Sequence, residues 1–432
     1  MSFGTGLSGL NAASKNLDVI GHNIANANTT GMKAGRAEFA EMYAASLGAA
    51  GGSNGGIGVA VATVAQLFTQ GNLKITGNNL DMAINGDGFF KVRSTSGEVM
   101  YTRNGEFKLD KDGYIITNNG SRLQGYLPAA PGAPITVGGT QDLFLPTGAA
   151  IPPRRTGTLT GPEGGIRVTA NLPASAEVLT PATPLDDARR RYGTVVNIYD
   201  EQGNQIPLQL YFVRTNYTAP NSTWTVVGRV EGTTPYEAVL GTVTFDAAGE
   251  VTGTPTIQLP ANALPGGSVS AGVPSAAFPP APIPINIGSA AGGWTLTQYG
   301  SPFAVYDVRQ DGYAPGELTS IVVSESGVIT ARYSNGVSQD AGQVALARFR
   351  NVQGLEPVNG GYWRETFTSG NAVEGAPLSG RFGAVRQGAL EESNVDLTQE
   401  LVNMIVAQRH YQANAQTIKT QDQVQQTLVN LR

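Results

Sequence analysis

The last stretch of the chain constrains the rest. Residues 396–432 read DLTQELVNMIVAQRHYQANAQTIKTQDQVQQTLVNLR and contain neither Gly nor Pro. Asp396 followed by Gln399 has the form of a capping box at a helix start. Leu397, Leu401, Met404, Tyr411, Ala415 and Ile418 then recur at steps of three, four or seven, which puts them on one helical stripe. Such a helix spans roughly 50 Å. After Asp396 the charged residues are Glu400, Arg409, Lys419, Asp422 and Arg432 alone; the other polar positions are mostly Gln, Asn and Thr. A terminal helix facing water ordinarily displays charged pairs on its outer side. This one suits either docking on its own domain or burial among copies of itself.

The opposite end supplies a partner. Phe3, Leu7, Leu10, Leu17 and Ile24 keep the same three-and-four spacing, with Ser14 and Gly21 in the intervening slots. A helix is predicted from Ser8 to Asn28, weakened at Gly9 and Gly21 and ending near Thr29 to Gly31, where Asn23, Asn26 and Asn28 favour caps and turns. Two amphipathic ends predict a coiled-coil pair that leaves other faces for neighbouring molecules. The candidate pairing and polymerisation residues are Leu7, Leu10, Leu17, Ile24, Leu397, Leu401, Met404, Tyr411, Ile418 and Leu428.

Between the ends the signals are β. FFKV, EVMYTR, EFKLD and YIIT are strand candidates, separated by the turn dipeptides Asn104-Gly105 and Asp112-Gly113. Residues 48–58 (GAAGGSNGGIG) read as a flexible connector. Ten prolines between Pro128 and Pro184 and eight between Pro255 and Pro284 bracket TVVNIYD, IPLQLYFV and WTVVGRV, an inserted β domain. IVVSESGVITARYSNG reads as a hairpin of the body resuming after Phe303. The expected fold is a mainly β multi-domain body with N- and C-terminal α-helices pairing as a coiled coil, its domains nested and discontinuous. The expected divisions are helices at 1–30 and 396–432, connecting segments at 31–75 and 384–395, a β body at 76–148 and 300–383, and an inserted outer β domain at 149–299.

Composition removes several function classes. Charged residues are 14% of the chain, against ~25% in a typical soluble domain. Net charge is −5 with no basic run, so nucleic acid is not an expected partner. With no cysteine there is no thiol chemistry. MSFGTGLSGL lacks the form of a cleaved signal peptide, and no apolar run approaches the ~18 residues of a membrane span, so no membrane insertion is expected. The two histidines, His22 and His410, lie on the terminal helices without further ligands at metal spacing. Asp186-Asp187 precedes Arg189-Arg190-Arg191, which reads as local ion pairing. Around Gly113 a calcium loop fails, because Lys108 and Asn119 occupy its end positions. No catalytic, cofactor-binding or metal-ligating residues are assigned.

Asn23-Ile24-Ala25-Asn26-Ala27-Asn28-Thr29-Thr30-Gly31-Met32-Lys33 resembles the N-terminal signature of the flagellar rod and hook protein family. SNVDLTQELVNMIVAQRHYQANAQTIKTQDQVQQTLVNL is similar to that family's C-terminal end, and LDMAINGDGFF (residues 80–90) to its body opening. The likeness extends through GVITARYSNG and QGLEPV. Asn23, Ile24, Asn26, Asn28, Thr30, Gly31 and Lys33 are the signature positions carried over. The resemblance implies a structural subunit, not an enzyme, that polymerises head to tail into a tube at the base of the bacterial flagellum. The large insertion implies a hook-type subunit, part of a flexible universal joint passing torque from rod to filament. It also implies the distal rod protein, hook cap, hook-filament junction protein and flagellar type III export apparatus as partners, and a place outside the cell reached without a cleaved signal peptide. In this reading the inserted domain is the element that slides when the tube bends. A distal rod protein is the alternative within the family. A β-domain glycan binder or hydrolase with oligomerising helical ends is the alternative outside it, and requires a ligand pocket or a close carboxylate pair.

Overall fold

The structure is a computed structural model that describes residues 3–43, 56–129, 133–145, 150–159, 164–179, 185–230, 236–253, 257–259, 282–289 and 294–430. The chain divides into two compact units. One comprises Met1–Gly148, Thr319–Arg332 and Ser338–Arg432; the other comprises Ala149–Leu318 and Tyr333–Val337. The second is thus inserted in the first.

The first unit begins with helix α1 (Phe3–Ala25), which starts five residues before the expected Ser8 and stops within the Asn-rich run, after Asn23 and before Asn26. An antiparallel hairpin follows, β1 (Gly35–Tyr43) and β2 (Gly56–Gln66). The expected connector at 48–58 lies outside the described residues up to 55, while Gly56-Ile57-Gly58 open β2. Gly58 is required there: its φ is +131°, and an added Cβ would stand 2.1 Å from Ser8 Oγ of α1. The segment read as a plain connection from residue 31 is therefore largely a hairpin packed on α1. Helix α2 (Leu397–Asn430) closes the chain. Asp396 caps it by accepting from the Thr398 and Gln399 amides at 2.9 and 3.1 Å. The Gln399 side chain reaches forward to Asn403 Oδ1 at 3.1 Å, unlike the backward reach of a capping box.

The body sheet of this unit joins the expected strands. Phe89–Arg93 pairs with Val99–Thr102 and with Arg122–Tyr126. Asp112-Gly113 makes the expected turn, with Gly113 at φ +85° between the paired strands Phe107–Leu109 and Ile115–Thr117. Asn104-Gly105 does not join a hairpin. Val99–Thr102 pairs instead with Tyr362–Arg364, and a Cβ on Gly105 would lie 1.6 Å from Met82 O, so glycine serves a close backbone crossing there. Phe89, Tyr101, Phe349 and Trp363 form an aromatic core beneath, with Phe89 and Trp363 centroids 5.5 Å apart.

The second unit contains a four-stranded antiparallel meander of Gly193–Tyr199, Gln205–Thr218, Asn221–Val230 and Tyr236–Phe245, counted among the described residues. Its inward residues, Trp224, Phe212 and Phe245 among them, share one core with Ile166, Val168 and Leu172 of a second sheet. In that sheet Ile166–Pro173 pairs with Trp294–Tyr299 in parallel and with Ala304–Gln310 antiparallel. This pairing carries the unit to Leu318, past the expected division at 299, and the body resumes at Thr319 rather than after Phe303. Trp294–Tyr299 and Ala304–Gln310, strands that complete the unit, lie beyond the second proline-rich stretch.

Candidate functional site

The two helices pack antiparallel within the first unit. A Cβ on Gly6 would meet Ile418 Cγ1 at 3.0 Å, and one on Gly9 would meet Asn414 Oδ1 at 2.9 Å, so the contact moves down α2 as it moves up α1. Farther along, Asn16, Ile20 and Asn23 share a cleft with Asn403, Ala407 and His410. The α1 face turned to α2 therefore runs Gly6, Gly9, Ala13, Asn16, Ile20, Asn23, a heptad made largely of small residues. Small residues allow helix axes to approach closely.

That face lies one residue away from the expected leucine stripe on both helices. Leu7 is 44% exposed, and Leu10, Leu17 and Ile24 are half-buried. On α2 the covered positions include Asn403, Ala407 and Asn414, whereas Leu397 and Leu401 are 48% and 46% exposed and Tyr411 is exposed too. Met404 is half-buried; Ile418 alone of the expected set is placed against α1 by the Gly6 approach. The side chains of Phe3 and Leu428 lie outside the described residues. Ile405, Val402 and Val406, not singled out from sequence, are also exposed. The third face of α1, at Thr5, Ser8 and Val19, meets the hairpin, with Ser8 Oγ accepting from Val59 N at 3.3 Å. Of the two leucine stripes, Leu7, Leu397, Leu401 and Tyr411 remain exposed.

The signature residues build the junction below the helices. Asn23 is buried, and its amide exchanges two hydrogen bonds with the Gly35 backbone at 2.8 and 2.9 Å, pinning the start of β1 to the end of α1. Asn26 donates to His22 O at 2.9 Å. Thr30 donates to Glu106 Oε1 at 2.8 Å. Gly31 has φ +70° and donates its N–H to Glu391 O at 2.7 Å. Asn28 is exposed. Lys33 reaches Thr69 O at 2.8 Å and Glu391 Oε1 at 2.5 Å. Glu391 also accepts from Arg103 Nη1 at 3.1 Å and Gly71 N at 3.0 Å, while Asn394 accepts from Ala34 N at 2.8 Å. Burial draws the Lys33 ammonium and the Arg103 guanidinium below their ordinary values, opposed in each case by Glu391. Arg103 and Glu391 carried no sequence signal, because nothing local marks partners so far apart along the chain.

The remaining candidates stay separate. His22 and His410 are exposed on their helices, and Asp186 pairs with Arg189. Among the described residues no group of three or more His, Cys, Asp or Glu side chains could hold a metal ion. No helix among them is long and apolar enough to cross a membrane.

Four family models match in chain order: flagella basal body rod protein at 3–33, flagellar hook protein FlgE/F/G D1 domain at 83–168, flagellar basal body protein FlaE D2 domain at 171–313, and flagellar basal body rod FlgEFG protein C-terminal at 386–431. The chain is 38% identical to the flagellar hook protein FlgE of Escherichia coli, with 100% of both chains covered. It is 39% identical to that of Salmonella typhimurium, again over 100% of both, and 34% identical to that of Treponema pallidum over 99% of this chain and 98% of the relative. A crystal structure of Helicobacter pylori flagellar hook protein FlgE2 superposes with a TM-score of 0.52 at 16% identity, covering 74% of this chain and 100% of that one, a likeness of fold.

Proposed function

The chain belongs to the flagellar hook protein family and is a hook subunit, and on that premise we propose how it assembles. Its role is structural rather than catalytic. The uncovered leucine stripes of α1 and α2 pack against the helical pairs of neighbouring copies, so that the chain polymerises head to tail into a tube. Identical heterologous contacts that do not close into a ring generate an open helix.

The observation that carries this reading is the double stripe. Leu7 on α1 and Leu397, Leu401 and Ile405 on α2 are all between 44% and 51% exposed, although α1 and α2 are already paired. Fully burying an exposed leucine or isoleucine side chain stabilises by ~1.5–3 kcal/mol, and completing the burial of these half-covered ones by about half of that. A helix surface of neutral amides around that stripe adds little charge to desolvate.

The same reading places the tube in the hook outside the cell, reached through the flagellar export apparatus without a cleaved signal peptide. The distal rod protein, hook cap and hook-filament junction protein are its partners at the two ends. The test is polymerisation of the purified chain followed by electron microscopy. Leu401→Asp combined with Ile405→Asp abolishes tubes while the near-ultraviolet circular dichroism of the β units stays unchanged. Tubes at normal yield from that variant overturn the assignment of the stripe.

A further inference from the structure

We propose that Asn359 is a site of spontaneous covalent modification, where the neutral side-chain amide becomes a carboxylate as the chain ages. The inference does not depend on the polymerisation reading and stands or falls without it.

The chemistry favours an asparagine followed by glycine. The backbone nitrogen after the asparagine must approach the side-chain carbonyl carbon, and glycine has no Cβ to obstruct it. Six such pairs occur in the chain. Asn54-Gly55 lies outside the described residues, and hydrogen bonding separates the other five. Asn85 closes a strand paired with Ala384, and the Gly86 N–H donates to Gln70 Oε1 at 3.0 Å. Asn104 Oδ1 accepts from Glu106 N at 2.9 Å. Gly120 N–H donates to Thr117 O at 2.9 Å, which ties down the nitrogen beside Asn119. Asn335 is held at both ends of its amide, Nδ2 donating to Ala314 O at 2.6 Å and Oδ1 accepting from Val337 N at 3.1 Å. At Asn359-Gly360 neither the side-chain amide nor the glycine N–H has a hydrogen-bond partner, and both residues are exposed.

Asn359, Gly360 and Gly361 form the loop between Glu356–Val358 and Tyr362–Arg364, with Val358 paired to Tyr362. The far end of the loop is anchored, because Thr102 Oγ1 donates to Gly361 O at 2.9 Å. The reacting atoms are free to meet. Gly360 N attacks Asn359 Cγ, the bond from Cγ to the side-chain nitrogen breaks, and ammonia leaves carrying the glycine's amide proton. Water then opens the succinimide ring at either carbonyl, giving aspartate or isoaspartate, with no net oxidation. Reversal needs ammonia and an activated carboxyl, so the charge accumulates. Asn359 lines a cleft of ≈ 390 Å³ with His22, Met32 and Tyr362, so the new carboxylate arrives beside the end of α1. Isoaspartate also adds a backbone carbon to a loop whose neighbour, Trp363, sits in the aromatic core.

The five described pairs fall in five different tryptic peptides, residues 75–91, 104–108, 112–122, 333–348 and 351–364. The folded full-length chain is held in mildly alkaline buffer, sampled over days and mapped by mass spectrometry. Peptide 351–364 gains the mass of the acid about fivefold faster than the other four, each of which must first release a hydrogen bond. Fragmentation places the change at Asn359, not Asn351. In urea the five rates converge. Asn359→Gln keeps the fold, since the side chain is exposed and makes no hydrogen bond, and it leaves the peptide unmodified because the larger ring closes far more slowly. Equal rates in the folded chain, a change located at Asn351, or one ranking with and without urea overturns the site.

Discussion

Glu391 and Lys33 stand 358 residues apart in sequence and meet at 2.5 Å, with side chains 0% and 1% exposed. The contact ties the strand leading into α2 to the segment leaving α1. Arg103, from the body, enters the same carboxylate at 3.1 Å. Two buried cations thus share one anion, and the terminal helices are anchored to the β body through charge that has no access to water.

Loss of the shared anion is costly. Glu391→Ala leaves Lys33 and Arg103 buried together without a counter-charge and lowers stability by ~3–5 kcal/mol. Lys33→Met removes one cation but leaves the carboxylate paired with Arg103 and the Gly71 amide, so its effect is smaller. Urea unfolding of the three proteins measures the order. Equal midpoints for the two variants would show that the carboxylate is not the hub.

Two glycines of α1 respond differently to alanine. A Cβ at Gly21 meets nothing within 4 Å, whereas one at Gly9 meets the Asn414 side chain at 2.9 to 3.0 Å. Gly21→Ala stabilises the helix by ~0.5–1 kcal/mol through lost backbone entropy in the unfolded chain. Gly9→Ala makes the same backbone gain but must displace the Asn414 amide, which offsets part of it. The obstructing atoms belong to a side chain, so adding Asn414→Ala relieves the strain. A double-mutant cycle by thermal unfolding reads the coupling, and strict additivity would contradict the antiparallel contact at this level.

Asp142 makes one part of the structure sensitive to acid. Burial pushes its carboxyl up, but hydrogen bonds from Arg93 and Arg122, joined by Gln124, more than offset this and hold it below the ordinary value. A carboxyl depressed in the folded state contributes stability that is complete above its unfolded value of about 3.9 and is lost as pH falls through the folded value. Below roughly pH 4 the intact chain therefore loses this contribution, and Asp142→Asn flattens that limb of the profile. Thermal midpoints followed from neutral pH downward check it; parallel curves for the two proteins would contradict the assignment.

What was legible in the sequence followed from periodicity and local chemistry. The Gly- and Pro-free run after Asp396 announced α2, and Asp112-Gly113 announced its turn, because both signals lie within a few residues. Helix contact faces were not legible from large apolar residues. Leu7, Leu401 and Tyr411 mark stripes left uncovered, while the intramolecular seam uses Gly6, Gly9 and Ala13, residues that an apolar count passes over. The junction was legible only in part. Asn23, Thr30, Gly31 and Lys33 could be singled out by resemblance, but Glu391 and Arg103 acquire meaning only when the chain brings them together.

The inserted unit offers a test of bending, and its strand pairing dictates how the test must be cut. Removing residues 149–284, the span suggested by proline distribution, deletes Ile166–Pro173 and strands two of its partners, Trp294–Tyr299 and Ala304–Gln310. Exposed edges of that kind pair with other chains, so this deletion aggregates. A cut that removes the whole Ala149–Leu318 segment and replaces Tyr333–Val337 by a short turn follows the boundaries of the unit. If the insertion is the element that slides as the tube bends, the second deletion still polymerises through α1 and α2 but gives straighter tubes, as measured by curvature in electron micrographs. Curvature unchanged from that of the intact chain would place bending in the first unit.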